Sequence, residues 1–151
     1  MKYILASVAL AVLLFPSLAS SEEITMEDLV KRDDLFYRKF TETPFTGKTT
    51  GQTQGSFKDG VAEGPWVTYY DNGQLQRKGD YKNRKREGPW EAYHDNGQLQ
   101  GKGDFKNGEM EGPWVFYFRN GQLDKTGTFK NGKEEGPSVF YFDNGQLQGK
   151  G

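Results

Sequence analysis

The sequence predicts an all-β fold: an elongated, twisted, single-layer antiparallel meander of tandem β-hairpins. Three observations carry that prediction. A Gly-Pro-Trp triplet, Gly-Pro-Ser in the last copy, recurs every 24 residues from Gly64 through Gly88 and Gly112 to Gly136. Each copy contains an Asn-Gly pair: Asn72-Gly73, Asn96-Gly97, Asn120-Gly121 and Asn144-Gly145. Aromatic residues reach 15% although all hydrophobic residues together make only 34%, and 20 of the 151 residues are glycine. Few aliphatics with many rings and glycines suit short strands and tight turns better than a thick core. A fixed period decides the architecture, because one unit cannot bury its own apolar face and must stack on its neighbours.

From the N-terminus, residues 1–19 read as a secretory signal peptide. Lys2 gives a positive start, residues 3–15 form an uncharged apolar run, and Pro16 breaks it. Small residues at Ser17 and Ala19 then suit cleavage after Ala19. The run is short for a transmembrane span. The expected location is therefore secreted or periplasmic. Residues 20–45 are out of phase with the repeat and read as an N-terminal lead-in or cap. There Thr25 is placed to cap a short helical turn, Asp33-Asp34 reads as a turn, and residues 35–40 read as a strand. The repeat domain covers residues 46–151: a partial unit at 46–63, full units at 64–87, 88–111 and 112–135, and a truncated unit at 136–151.

Within a unit, Asn-Gly between apolar runs is the strongest short hairpin signal, since a type I′ turn needs positive φ at both positions. A second turn recurs at Asp59-Gly60, Asn107-Gly108 and Asn131-Gly132, with Asn83-Arg84 as the exception. Read as two-residue loops, these turns place Trp66 opposite Gly79, Gly64 opposite Tyr81, Tyr70 opposite Leu75, Gly103 opposite Gly112 and Gly101 opposite Trp114. One face then holds the tryptophans, the glycines, Leu75 and its equivalents, Tyr81, Phe105 and Phe129. The other holds Gln74, Gln76, Lys78, Asp80, Val67 and the recurring Tyr69, Tyr93, Tyr117 and Tyr141. A three-residue Asp-Asn-Gly loop with a bulge would instead move the tyrosines inward. The two-residue reading is preferred because it keeps parity through both turns. Strands of unequal length between turns leave a two-residue stagger per repeat, to be taken up as twist or as a bulge at the Gly-Pro pair.

Charge and residue type exclude several function classes. Lys plus Arg is 20 against 21 for Asp plus Glu, a formal net charge of -1. No basic excess favours nucleic acid or an anionic bilayer, so neither is an expected partner. There is no cysteine, which removes thiol nucleophiles and zinc–thiolate sites. The single histidine, His94, fills the slot of Tyr70, Phe118 and Phe142 and reads as a packing ring. Glu63, Glu87, Glu111 and Glu135 repeat with the array, as scaffold groups do and a unique active site does not. The expectation is a non-enzymatic protein with no cofactor and no metal, presenting a surface for a partner.

The frame G-P-W-x-x-Y-x-D-N-G-x-L-x-x-x-G-x-[YF]-x-N-G, over about residues 44–151, resembles the variant MORN-repeat family, often called YwqK-like. Members are commonly labelled antitoxins of toxin–antitoxin systems, and MORN-type repeats are associated with protein–protein interaction and with lipid binding. The resemblance implies a protein-interaction module, with an antitoxin or immunity-like role as its sharper form. Glycan or cell-wall binding through the aromatic rows is the alternative, and phospholipid binding is third. The expected partner is a protein, with a glycan as the second option. Candidate surface residues are Trp66, Trp90, Trp114, Phe116, Phe140 and His94. The Asn-Gly pairs, the Gly-Pro glycines and the four tyrosines are expected to be structural.

Overall fold

The computed structural model describes residues 23–151, so the proposed signal peptide and its cleavage site lie outside the described residues. Two antiparallel sheets form. The small one pairs β1 (Leu29–Arg32) with β2 (Leu35–Arg38). The large one has 11 strands: β3 (Gly47–Thr49), β4 (Thr53–Lys58), β5 (Val61–Tyr69), β6 (Leu75–Lys82), β7 (Lys85–Tyr93), β8 (Leu99–Lys106), β9 (Glu109–Tyr117), β10 (Leu123–Lys130), β11 (Lys133–Glu134), β12 (Val139–Tyr141) and β13 (Leu147–Lys150). From β3 to β10 every strand pairs with its sequence neighbour, as a meander requires; β12 and β11 then both pair with β10. The sheet does not close into a barrel.

The cap follows from its local sequence. Thr25 N and Oγ1 donate to Asp28 Oδ2 at 2.8 and 2.9 Å, ordering a 3₁₀ turn at Met26–Asp28. Asp33 and Asp34 both take positive φ, forming the predicted turn. The partner strand β1 carries no alternation in the sequence, only Leu29-Val30 followed by Lys31-Arg32. The cap docks by backbone pairing, with Phe36 N donating to Gly60 O at 2.8 Å and Phe45 N to Phe36 O at 2.8 Å.

The two turn types are chemically different. Asn83, Asn107 and Asn131, and Asp59, have positive φ together with the residue that follows each, so these are two-residue type I′ turns. Arg84 holds φ +69° there, at a cost of about 1 kcal/mol relative to glycine. At the other edge only Gly73, Gly97, Gly121 and Gly145 are positive, and their asparagines are not. Tyr70 N donates to Gln74 O at 2.8 Å and Gly73 N to Tyr70 O at 2.9 Å. The loop is therefore the three-residue Asp-Asn-Gly form, with glycine at the left-handed position. This corrects the two-residue reading.

A bulge compensates for the extra loop residue. Tyr69 pairs with Leu75 and Thr68 with Arg77, leaving Gln76 unpaired between them. Trp66 opposite Gly79 and Gly64 opposite Tyr81 are restored, as predicted. Leu75 is not: it shares a face with Tyr69, as Leu99 does with Tyr93. Gln76 crosses to the tryptophan face, where Thr68 Oγ1 donates to its Oε1 at 3.2 Å. The second stagger is absorbed where proline and glycine permit it. Between β8 and β9, Asp104 pairs with Glu111 but Lys102 pairs with Val115. Gly112-Pro113 is thus looped out toward β8, and Gly101 faces Phe116 rather than Trp114. Gly64, Gly88, Gly112 and Gly136 hold φ from +70° to +82°, and a β-carbon on any of them would meet nothing within 4 Å. Backbone conformation, not space, demands glycine there.

The core is a single file of rings on one face. Phe36, Phe57, Trp66, Tyr81, Trp90, Phe105 and Trp114 follow one another with centroids 5.0–5.8 Å apart, mostly edge to face. Trp90, Phe105 and Trp114 are buried, and Phe57 is 3% exposed.

Candidate functional site

The repeated residues are occupied by holding one unit to the next. Glu63, Glu87 and Glu111 accept the backbone N–H of Asn83, Asn107 and Asn131 at 2.8–3.1 Å. Asn72, Asn96 and Asn120 each accept from the glutamine two residues on, and each donates from Nδ2 to the carbonyl of the next unit's loop at 2.7–2.8 Å. Tyr70 donates its hydroxyl to Tyr93 O at 2.8 Å. His94 makes the equivalent contact, Nε2 to Tyr117 O at 3.0 Å. Since a carbonyl only accepts, this nitrogen carries the proton. His94 is therefore a ring with a donor, standing in for a tyrosine hydroxyl.

The tryptophans are committed as well. Trp90 and Trp114 donate Nε1–H to Asp80 O and Asp104 O, both at 3.1 Å. Their rings lie over Gly79 and Gly103, as Trp66 lies over Gly55. Each covers the glycine of the preceding strand, not the one that follows. Trp90 and Trp114 offer little ring face to a ligand; Trp66 is half-buried. Phe116 and Phe140 are half-buried on the same face, with Lys125 paired to both.

What remains on the tryptophan face is the set of positions that vary between copies. Ala62, Arg86, Met110 and Glu134 are equivalent. So are Thr68, Ala92, Phe116 and Phe140, and Arg77, Gly101, Lys125 and Gly149. Small residues in the second copy leave a hollow. A cleft of about 330 Å³ lies there, lined by Arg77, Arg86, Ala92, Met110 and Phe116 over Trp90, Phe105 and Trp114. The Arg86 guanidinium sits 3.9 Å from the Phe105 ring centroid. A neighbouring cleft of about 430 Å³ shares Gln100, Met110 and Phe116 and reaches His94 and Lys125. Another, of about 570 Å³, opens between the cap and the sheet beside Trp66, Tyr81, Arg84 and Lys85. Of these residues the sequence motif marks only the rings. Arg77, Arg86, Ala92 and Met110 show themselves only as departures from the repeat at aligned positions.

The opposite face is polar and ion-paired. Lys78 Nζ meets Glu91 Oε2 at 2.9 Å, and the Tyr93 hydroxyl donates to the same oxygen. The hydroxyl bond first, then Lys78, holds the Glu91 carboxyl below its ordinary range, while burial and that carboxylate push Tyr93 up. Among the described residues no group of three or more acidic or histidine side chains is placed to hold a metal ion, and no helix is long and apolar enough to cross a membrane.

No curated protein matches the chain. Among solved structures, the crystal structure of a GtfA/B complex bound to UDP and GlcNAc is similar at 13% identity and a TM-score of 0.23, over 86% of this chain and 26% of that one. The chain thus spans about a quarter of that protein's length. The profile of the MORN repeat variant matches residues 62–83, 86–107, 110–131 and 134–151, more than half of the chain. Its period is the one that sets the Asn-Gly loops, the Gly-Pro bulges and the ring file, and the chain belongs to the MORN repeat variant family.

Proposed function

We propose that this chain is an exported protein–protein interaction module that receives its partner along the tryptophan face, with an antitoxin or immunity-like role as the sharper form of that reading. One observation carries it. The residues common to the copies are engaged within the sheet, while the side chains that differ between copies converge on the cleft of about 330 Å³ at Arg77, Arg86, Ala92, Met110 and Phe116. Variation gathered at one hollow is what a specific contact requires and a plain scaffold does not. Met110 and Phe116 supply apolar area at the rim, and the two guanidiniums supply direction.

Crosslinking of the chain in its native host, followed by capture, tests the reading. Ala92→Trp should fill the hollow and abolish retention of the partner with little change in melting temperature. No specific partner, or one retained equally by Ala92→Trp, sinks it. Glycan stacking has less support, because Trp90 and Trp114 are buried.

A further inference from the structure

The turn that departs from the repeat stands in the most cationic part of the sheet. Arg84 takes the slot of Gly60, Gly108 and Gly132 and holds it at φ +69°. Residues held in backbone strain of this kind cluster at binding and active sites. Lys82-Asn83-Arg84-Lys85-Arg86 carries four cations in five residues, without an acid. The matching stretches at the other three turns each contain an acid and at most two cations. Lys82, Arg84, Lys85 and Arg86 are all exposed and, among the described residues, make no ion pair. Arg84 and Lys85 rim the cleft of about 570 Å³ whose floor includes Phe36, Trp66 and Tyr81. Its one acid, Asp34, is paired with Lys31 at 2.9 Å.

We propose that this cleft binds an acidic segment of a protein partner, with carboxylates on Arg84, Lys85 and their neighbours and an apolar side chain over Trp66 and Tyr81. The proposal rests on the interaction reading above and names the chemistry of one end of that surface. Charge complementarity selects the occupant. Cations confined to one hairpin end, in a chain of formal net charge -1, cannot follow a phosphate backbone or lie along an anionic bilayer. They do match a few carboxylates beside an aromatic floor.

The probe is a fluorescein-labelled peptide of alternating Glu and Phe, titrated with the full-length chain and read by anisotropy. Its counterpart with Gln at every Glu is the control. The Glu peptide should bind with an affinity that falls as salt rises, and the Gln peptide should not. Arg84→Gly and Lys85→Ala should each weaken binding about fivefold. Arg84→Gly restores the residue of the sister turns, so it should do this without lowering the melting temperature. Equal binding of both peptides, no effect of either substitution, or tighter binding of duplex DNA or of phosphatidylglycerol vesicles overturns the proposal. A captured host partner retained equally by the Arg84→Gly/Lys85→Ala double variant removes the acidic segment and leaves the interaction reading standing. Capture of no partner removes both.

Discussion

Trp90 occupies the space that a side chain on Gly79 would need: a β-carbon there would stand less than 3.0 Å from three atoms of the indole. Gly103 stands in the same relation to Trp114, and Gly55 to Trp66. In the fourth copy Ser138 replaces the tryptophan, and the Glu134 carboxylate reaches over Gly127 instead. Gly79→Ala must therefore displace a ring from the core file, at a cost of about 1–3 kcal/mol. Gly127→Ala meets the far end of a flexible side chain and should cost clearly less. Urea denaturation of the two variants checks this. Equal losses would mean that glycine serves backbone freedom here and not the ring.

Arg84→Gly should raise stability by about 1 kcal/mol, because it removes a left-handed L residue. Arg84→Ala should not, since alanine meets the same penalty. The converse, Gly108→Arg, should lose a similar amount through conformation alone. A β-carbon on Gly108 would lie 3.5 Å from Lys85 Cβ, an ordinary contact. Thermal unfolding of the three variants separates conformation from contact.

The asparagine row tests whether units are joined through their loops. Asn96 Oδ1 accepts Gln98 N within its own loop, and Nδ2 donates to Arg119 O of the next. Asn144 shows only the local bond, to Gln146 N. Asn96→Ala should cost about 1–2 kcal/mol and Asn144→Ala about half of that. Asn96→Asp keeps the local acceptor but loses the donor, so it should fall between wild type and Asn96→Ala. Hydrogen exchange should then rise in the next unit's loop, around Arg119. Unchanged exchange there would confine the asparagine's role to its own turn.

The 24-residue period, the meander, the type I′ turns and the Trp66–Gly79 register were legible in the sequence because each depends on a residue with a sharp backbone preference. The three-residue Asp-Asn-Gly loop was not. Its extra residue is cancelled by the bulge at Gln76, so Trp66 keeps the face it has with a two-residue loop, the tyrosines do not move inward as expected of the longer loop, and Leu75 shows the difference. A bulge carries no side-chain signature when the bulged residue is a glutamine. The clefts were hidden for another reason: a repeat search weights what recurs, and Arg77, Arg86, Ala92 and Met110 are the residues that do not.

Loss of the fourth tryptophan makes one corner of the sheet sensitive to acid. Ser138 is 5% exposed, and its hydroxyl donates to Glu134, which also meets Lys125 Nζ at 2.6 Å. Lys125 first, then Ser138, holds the Glu134 carboxyl below its ordinary value of 4.5. A carboxyl whose folded value is depressed releases its proton more readily in the folded chain. Its contribution is therefore complete above the unfolded value and is lost as pH falls through the folded one. Glu134→Gln should lower the melting temperature at neutral pH, and the gap from wild type should narrow at an acid pH well below that ordinary value. A gap of the same size at both values would mean that Glu134 fills the space beside Gly127 by bulk and not by charge. In that case Glu134→Met with Ser138→Trp, which extends the ring file toward Phe129, should recover the loss.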